Sequence, residues 1–318
     1  MNYSKKVLNL LAKTLMVSLT LFAFASCSDD DNTIVPAENA TITDVVVNNP
    51  NFSMLKTAVI KAGLSETLAG NGSFTVFAPD NDAFAALGIS ASDIENLSAE
   101  TLKDILLYHT LASKVEASNV PAGPNAAFET VGGKSIYLTK NSAGVFVNGE
   151  KVKQADVKAS NGVIHIITKV LMPPTGNLVA TAQANENLSF LVAAVVRASE
   201  GTTNVAEVLS SAGPFTVFAP TNQAFINAGF PSVASIQAAD PDVLASILTY
   251  HAVAARAFSS DLVNGAALPT LNGANITVGV GSTATVKGEG NNSPSNIVAV
   301  NIVATNGVVH VIDQVLLP

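Results

Sequence analysis

The sequence predicts one mixed helix-and-strand domain built twice in tandem, and three observations carry that expectation. Phe74-Thr75-Val76-Phe77-Ala78-Pro79 returns as Phe215-Thr216-Val217-Phe218-Ala219-Pro220, and Tyr108-His109 returns as Tyr250-His251. Asn161-Gly162-Val163-Ile164-His165 returns as Asn306-Gly307-Val308-Val309-His310. The three signatures keep their order at a spacing of roughly 140 residues, far longer than a solenoid unit of about 20–50 residues and close to one globular domain. All four histidines of the chain fall inside these signatures. Any histidine chemistry is therefore present twice, or the histidines are structural.

The chain opens with Lys5, Lys6 and Lys13 and an apolar run over residues 15–25. That run is shorter than the ~20 residues needed to span a bilayer and fits the hydrophobic part of an export signal, so residues 1–26 are set apart from the fold. Cys27 is the only cysteine and follows Phe24-Ala25-Ser26 directly. A lone exported cysteine has no intramolecular disulfide partner, and its position resembles the lipobox of bacterial lipoproteins, in which the cysteine is acylated. Ser28-Asp29-Asp30-Asp31-Asn32 then forms a solvated acidic stretch. It resembles the short Ser-plus-acidic export tag of surface lipoproteins of the Bacteroidetes. The expectation is a signal peptide over 1–26, an acidic tether over 27–40, and a chain lipid-anchored to the outer membrane, facing outside the cell.

The two domains are expected at 41–174 and 175–318. In the first, Phe52, Leu55, Val59 and Leu64 recur at near-helical spacing; in the second, Leu188, Leu191, Val195 and Val196 make the corresponding stripe. About five extra residues around 200–204 precede the point where Val205, Val208 and Leu209 realign with Leu64, Thr67 and Leu68. Phe-Thr-Val-Phe-Ala-Pro predicts a short buried strand that ends at Pro79 or Pro220, because proline has no N–H to continue a ladder. Asp80-Asn81-Asp82 and Thr221-Asn222-Gln223 suit a following turn and helix start. A shared catalytic dyad at Asp80 and Asp82 is excluded, since the second copy lacks both carboxylates.

Leu102, Ile105, Leu106 and His109 stand at i, i+3, i+4 and i+7, as do Leu244, Ile247, Leu248 and His251. Each histidine thus lies on the apolar side of a helix, where a bonded core imidazole is the expected role. Asp240-Pro241-Asp242 reads as a cap, a first-turn proline and a first-turn acid. The second half of each copy reads as strands: residues 135–139 and 144–147 as a hairpin across 140–143, and Ile276, Val278 and Val280 as an alternating strand before a Gly-, Asn- and Ser-rich loop over 288–296. A closing strand, 163–170 or 308–317, carries His165 or His310 after an Asn-Gly turn.

Together Phe-Thr-Val-Phe-Ala-Pro, the central Tyr-His and the closing Asn-Gly-x-x-His resemble the fasciclin-like domain, over nearly all of residues 41–318. The resemblance implies an α+β fold of two tandem fasciclin-like domains, each an antiparallel β wedge with packed helices. It implies Phe74, Pro79, His165, Phe215, Pro220 and His310 as structural motif residues. It further implies extracellular adhesion, with the Tyr-His segments as partner-binding residues: Tyr108, His109, Tyr250 and His251. Copy one departs from the family's closing pattern at Thr168-Lys169, where copy two has Asp313-Gln314.

Composition narrows function further. The formal net charge is −8 with 13% charged residues and no tryptophan, and no basic cluster exists to release counterions from nucleic acid. Gly133-Lys134-Ser135 lacks the first glycine of a phosphate loop, and Gly279-Val280-Gly281 sits among alternating strand residues rather than before a helix. No nucleophile elbow or metal-ligand spacing is present. The expectation is a non-enzymatic surface adhesion or interaction lipoprotein without cofactor or metal, touching the membrane only through its lipid. Its partner is a protein or glycan on host matrix or neighbouring cells. The alternative is a glycan- or small-ligand-binding accessory lipoprotein using the 288–296 loop.

Overall fold

The computed structural model describes residues 39–318. Cys27, the export segment and most of the acidic tether lie outside the described residues. The first domain opens with α1 (Ile42–Asn48), α2 (Ser53–Lys61) and α3 (Ser65–Ala69), passes through β1 (Phe74–Pro79), and continues with α4 (Asn81–Ala85), α5 (Ala91–Asn96) and α6 (Ala99–Tyr108). Strands β2 (Thr110–Leu111), β3 (Gly123–Glu129), β4 (Ser135–Asn141), β5 (Gly144–Val147), β6 (Glu150–Ala159) and β7 (Gly162–Ile167) complete it. The second domain repeats the order with α7 (Leu178–Gln183), α8 (Ser189–Ala198), α9 (Val205–Ser210), β8 (Phe215–Pro220), α10 (Asn222–Asn227), α11 (Val233–Gln237) and α12 (Pro241–Tyr250). Its remaining strands are β9 (Ala252–Val253), β10 (Ala267–Pro269), β11 (Asn275–Val280), β12 (Ala284–Lys287), β13 (Ser295–Ala304) and β14 (Gly307–Ile312).

Local chemistry sets the helix starts. Asp80 caps α4 by accepting from the Ala83 N–H, and Thr221 caps α10 through Ala224. Asp240 accepts from the Asp242 and Val243 amides with Pro241 in the first turn of α12, as the sequence predicts. These caps answer the polar triplets after each Phe-Thr-Val-Phe-Ala-Pro strand.

Each domain forms one seven-stranded sheet, β2-β1-β7-β6-β5-β4-β3 and β10-β11-β12-β13-β14-β8-β9. The wedge is antiparallel except beside its short edge strand, β2 or β9, where β1 pairs in parallel with β7 and β8 with β14. The long chain between those strands permits the parallel crossover, and the parallel pair is buried on both faces. Side chains on β1 consequently alternate between two cores. Val76 and Ala78 face the helices with Leu55, Leu102, Leu106, Ile164 and Ile166, whereas Phe77 enters the wedge with Tyr108, Ile136, Leu138, Val147 and Ile167. Val217 and Ala219 against Phe218 repeat the division in the second domain.

Several expected boundaries move. Leu64 is buried but stands past the end of α2, as the residue before α3. Val196 is 57% exposed, because it follows Val195 by one helical position and so points about 100° away from the buried stripe. The alternating strand through Ile276, Val278 and Val280 stands as expected, as β11, with Val280 paired to Ala284 at the tip of its hairpin. The β4–β5 loop shrinks to Ser142-Ala143, since Asn141 pairs with Gly144 and accepts from the Ala143 N–H. The closing strands stop at Ile167 and Ile312, after which the chain turns away to meet a histidine.

Candidate functional site

His109 follows the last residue of α6, and His251 the last of α12. The Leu171 N–H donates to His109 Nε2 at 2.9 Å, and the Leu316 N–H donates to His251 Nε2 at 2.8 Å. An amide can only donate, so each Nε2 is an acceptor and each Nδ1 carries the proton, which it donates to the Ile105 or Ile247 carbonyl at 2.8 Å. Each imidazole thereby joins the end of a helix to the segment leaving the closing strand.

His165 and His310 use the opposite tautomer. The Asp156 N–H donates to His165 Nδ1 at 3.3 Å and the Asn301 N–H to His310 Nδ1 at 3.4 Å, while Nε2 donates to the Val115 or Ala257 carbonyl at 2.8 Å. Their rings lie 5.4 and 5.5 Å from Phe77 and Phe218. Desolvation by burial pushes His109, His251 and His310 down to about 4, and lowers His165 as well; in each case a bonded backbone carbonyl opposes the shift. A neutral ring with both nitrogens engaged has no free lone pair for a metal or a proton transfer. Among the described residues, no group of three or more His, Cys, Asp or Glu is placed to hold a metal ion.

The Tyr-His pairs do not present their side chains to a partner, contrary to the expectation drawn from the resemblance. Tyr108 and Tyr250 are 1% and 0% exposed, and their hydroxyls are committed. Tyr108 Oη donates to the Ser135 carbonyl and accepts from Asn148 Nδ2; Tyr250 Oη donates to the Asn275 carbonyl and accepts from the Glu289 N–H. The helical register that makes residues 102–109 amphipathic also turns this pair inward. Asp80 and Asp82 meet Lys153 at 2.7 and 3.4 Å, an ion pair beside a cap rather than a dyad.

Two residue pairs of the framework escaped sequence reasoning. Asn161 Oδ1 accepts from the Ile42 N–H, and its Nδ2 donates to the Leu68 and Gly70 carbonyls. Asn306 ties Leu178, Leu209 and Ser211 in the same way. Thr75 Oγ1 donates to the Ser113 carbonyl and accepts from the Val115 N–H; Thr216 does so with Ala255 and Ala257. For Thr75 and Thr216 the available signal was a polar residue identical in both copies within an apolar run, and for Asn161 and Asn306 it was the repeated Asn-Gly itself.

The junction between the domains is where unlike residues gather. Arg256 stacks over the Tyr137 ring, 4.0 Å from its centroid, and Phe258 lies 6.0 Å from the same ring. Asn125 Nδ2 donates to the Arg256 carbonyl at 2.6 Å and Thr139 Oγ1 to Asp261 at 3.1 Å. Asn301 Nδ2 donates to Glu150 Oε1 at 3.0 Å, and Glu150 also pairs with Lys169 at 3.1 Å. Gly149 has φ +78°, and a Cβ there would stand 2.6 Å from the Asn301 amide, so a glycine lets the two domains approach this closely. Alongside runs a cleft of about 530 Å³, lined by Glu150, Lys169, Met172, Leu188 and Ile302 among others. The 288–296 loop is held down rather than projecting: Asn291 exchanges hydrogen bonds with Val315 and Leu317, and residues 295–296 belong to β13.

The fasciclin domain model matches residues 50–173 and again 187–318, and the chain belongs to the fasciclin family as a tandem pair. It is 31% identical over 259 residues to the transforming growth factor-beta-induced protein ig-h3 of Sus scrofa, covering 80% of this chain and 36% of that protein. To human periostin it is 32% identical over 267 residues, covering 80% and 29%. Protein sll1483 of Synechocystis sp. is 44% identical over 138 residues, covering 42% and 74%. The chain thus spans about a third of the length of the two animal proteins. A FAS1 domain pair from the insect cell adhesion molecule fasciclin I is a structural neighbour with TM-score 0.41 and 20% identity, covering 89% of this chain and 98% of that one.

Proposed function

We propose that the chain is a non-enzymatic adhesion or interaction protein of the cell surface, lipidated at Cys27 and carrying its two fasciclin domains outward on the acidic tether. The observation that carries this reading is the internal use of every histidine: all four imidazoles are neutral and doubly bonded within the domains. Reactive groups are thereby spent on framework, and what remains for function is surface. The Cys27 context and the acidic stretch support anchoring, and membership of the fasciclin family supports an interaction role. The partner is a protein or glycan on matrix or neighbouring cells. Attachment of cells to immobilised matrix or to a bacterial lawn tests the reading: deletion strains and Cys27→Ala strains are expected to lose attachment equally. Undiminished attachment of the deletion strain discards it.

A further inference from the structure

The first domain is hollow where the second is filled. A cavity of about 450 Å³ opens between α4, α5, α6 and the segment after β7, walled by Phe84, Ile89, Ile94, Leu97, Ile105 and Met172 among others. Largely apolar walls of this size suit a small ligand. The second domain places aromatic rings at the matching positions. The Ile89 N–H donates to the Phe84 carbonyl as the Phe230 N–H donates to Phe225, and the Met54 N–H meets Asn81 as the Phe190 N–H meets Asn222. Phe230 and Phe190 therefore stand for Ile89 and Met54, and both rings pack on Phe225 at 6.3 and 6.5 Å. Of these two replacements Ile89 stands on the cavity wall, where the second domain has the Phe230 ring against Phe225.

The rim restricts the occupant. Asp93, Asn96, Thr101 and His109 are the polar residues of the wall, His109 with both ring nitrogens already bonded, and no lysine or arginine joins them. Asp93 accepts from the Ser90 hydroxyl and N–H, which hold it as a carboxylate. An anionic headgroup meets repulsion there, whereas a hydroxyl finds acceptors and an amide. We propose that this cavity binds one small neutral apolar molecule with a hydroxyl-type end, of the class of a medium-chain alcohol. Val170 and Met172 line both this cavity and the interdomain cleft, so the occupant touches the segment that leads into the second domain.

The test uses the full chain carrying Cys27→Ala, which leaves no attached acyl group to compete, and N-phenyl-1-naphthylamine as the probe. The expected result is saturable binding of one probe per chain, weakened at least about tenfold, or ~1.4 kcal/mol, by Ile89→Phe. Decanol is expected to displace the probe at about tenfold lower concentration than decanoate at pH 8. Should Ile89→Phe unfold the domain, the exposed Met172→Trp reporter decides instead, because the chain has no other tryptophan: bound probe quenches its emission by energy transfer. Full affinity in a folded Ile89→Phe chain, decanoate matching decanol, or unquenched emission from the Met172→Trp reporter each overturns the proposal.

Discussion

The two domains share their buried histidines, the Asn161/Asn306 pair and the Thr75/Thr216 pair, and they part at the junction and at the cavity of the first domain; the contrast separates framework from function. His109 and His251, His165 and His310, Asn161 and Asn306, and Thr75 and Thr216 make the same bonds to the same positions. Where the copies differ, the difference has a local consequence. At the bulge beside the closing strand, Asp156 accepts from the Ala117 N–H, and its counterpart Asn301 accepts from Ser259 but spends its second group on Glu150 of the other domain. Only an amide serves there, because Glu150 offers an acceptor. Lys114 and Glu116 pair with each other on the first domain, in the place where the second has Arg256 and Phe258 against Tyr137. Duplication therefore preserved what closes each domain, and divergence fell on the junction and the cavity.

Acid is the broadest way to strain the shared framework. His109, His251 and His310 titrate near 4 when folded and near 6.5 when unfolded, so between those values the unfolded chain binds more protons. Stability is complete above about 6.5 and declines as pH falls toward about 4, by up to roughly 3 kcal/mol for each of these histidines. Guanidinium midpoints measured from pH 7 to 4 should fall steadily, and a flat profile rejects the neutral-imidazole assignment. Matched substitutions sharpen the comparison. His109→Leu and His251→Leu each leave an amide and a carbonyl without their partner, and should each cost roughly 3 kcal/mol; urea melts that differ widely between the two would show the copies to be inequivalent.

Breaking the symmetry at the junction should give smaller, one-sided effects. Asn301→Asp sets a carboxylate against Glu150 and should weaken domain coupling by roughly 1–3 kcal/mol, visible as expansion in small-angle scattering, whereas Asp156→Asn should leave the profile unchanged. Smallest is the closing pattern. Asp313 accepts from Ser295 Oγ, the Asn296 N–H and Asn296 Nδ2, while Thr168, its counterpart, donates only to the Lys151 carbonyl. Asp313→Thr should lower the stability of the second domain by about 1 kcal/mol, and calorimetry of the reverse exchange, Thr168→Asp, should register no gain.

Much of this was legible because periodicity is a local property. The spacing of Leu102, Ile105, Leu106 and His109 placed the histidine on a buried face, and Pro79 and Pro220 marked where the central strands end. The antiparallel wedge was expected, but the parallel pairing of β1 with β7 was not, since the two lie almost ninety residues apart and no turn joins them. The same limit hid Asn161. An Asn-Gly pair reads as a turn, yet this asparagine's partners are Ile42, Leu68 and Gly70, residues that only folding brings beside it. Val196 was misplaced because hydrophobicity signals a wish for burial without saying which face a neighbour covers.

By itself the sequence determined that a domain is built twice, where its helices are capped, and that its histidines face inward, because caps and amphipathic stripes act over a few residues. Tertiary structure alone decided the pairing of the central strands, the tautomer of each imidazole, the docking of Arg256 on Tyr137 and the hollow beside Ile89. Each of these depends on atoms distant in sequence arriving within a few ångströms of one another, and no short-range pattern encodes that meeting.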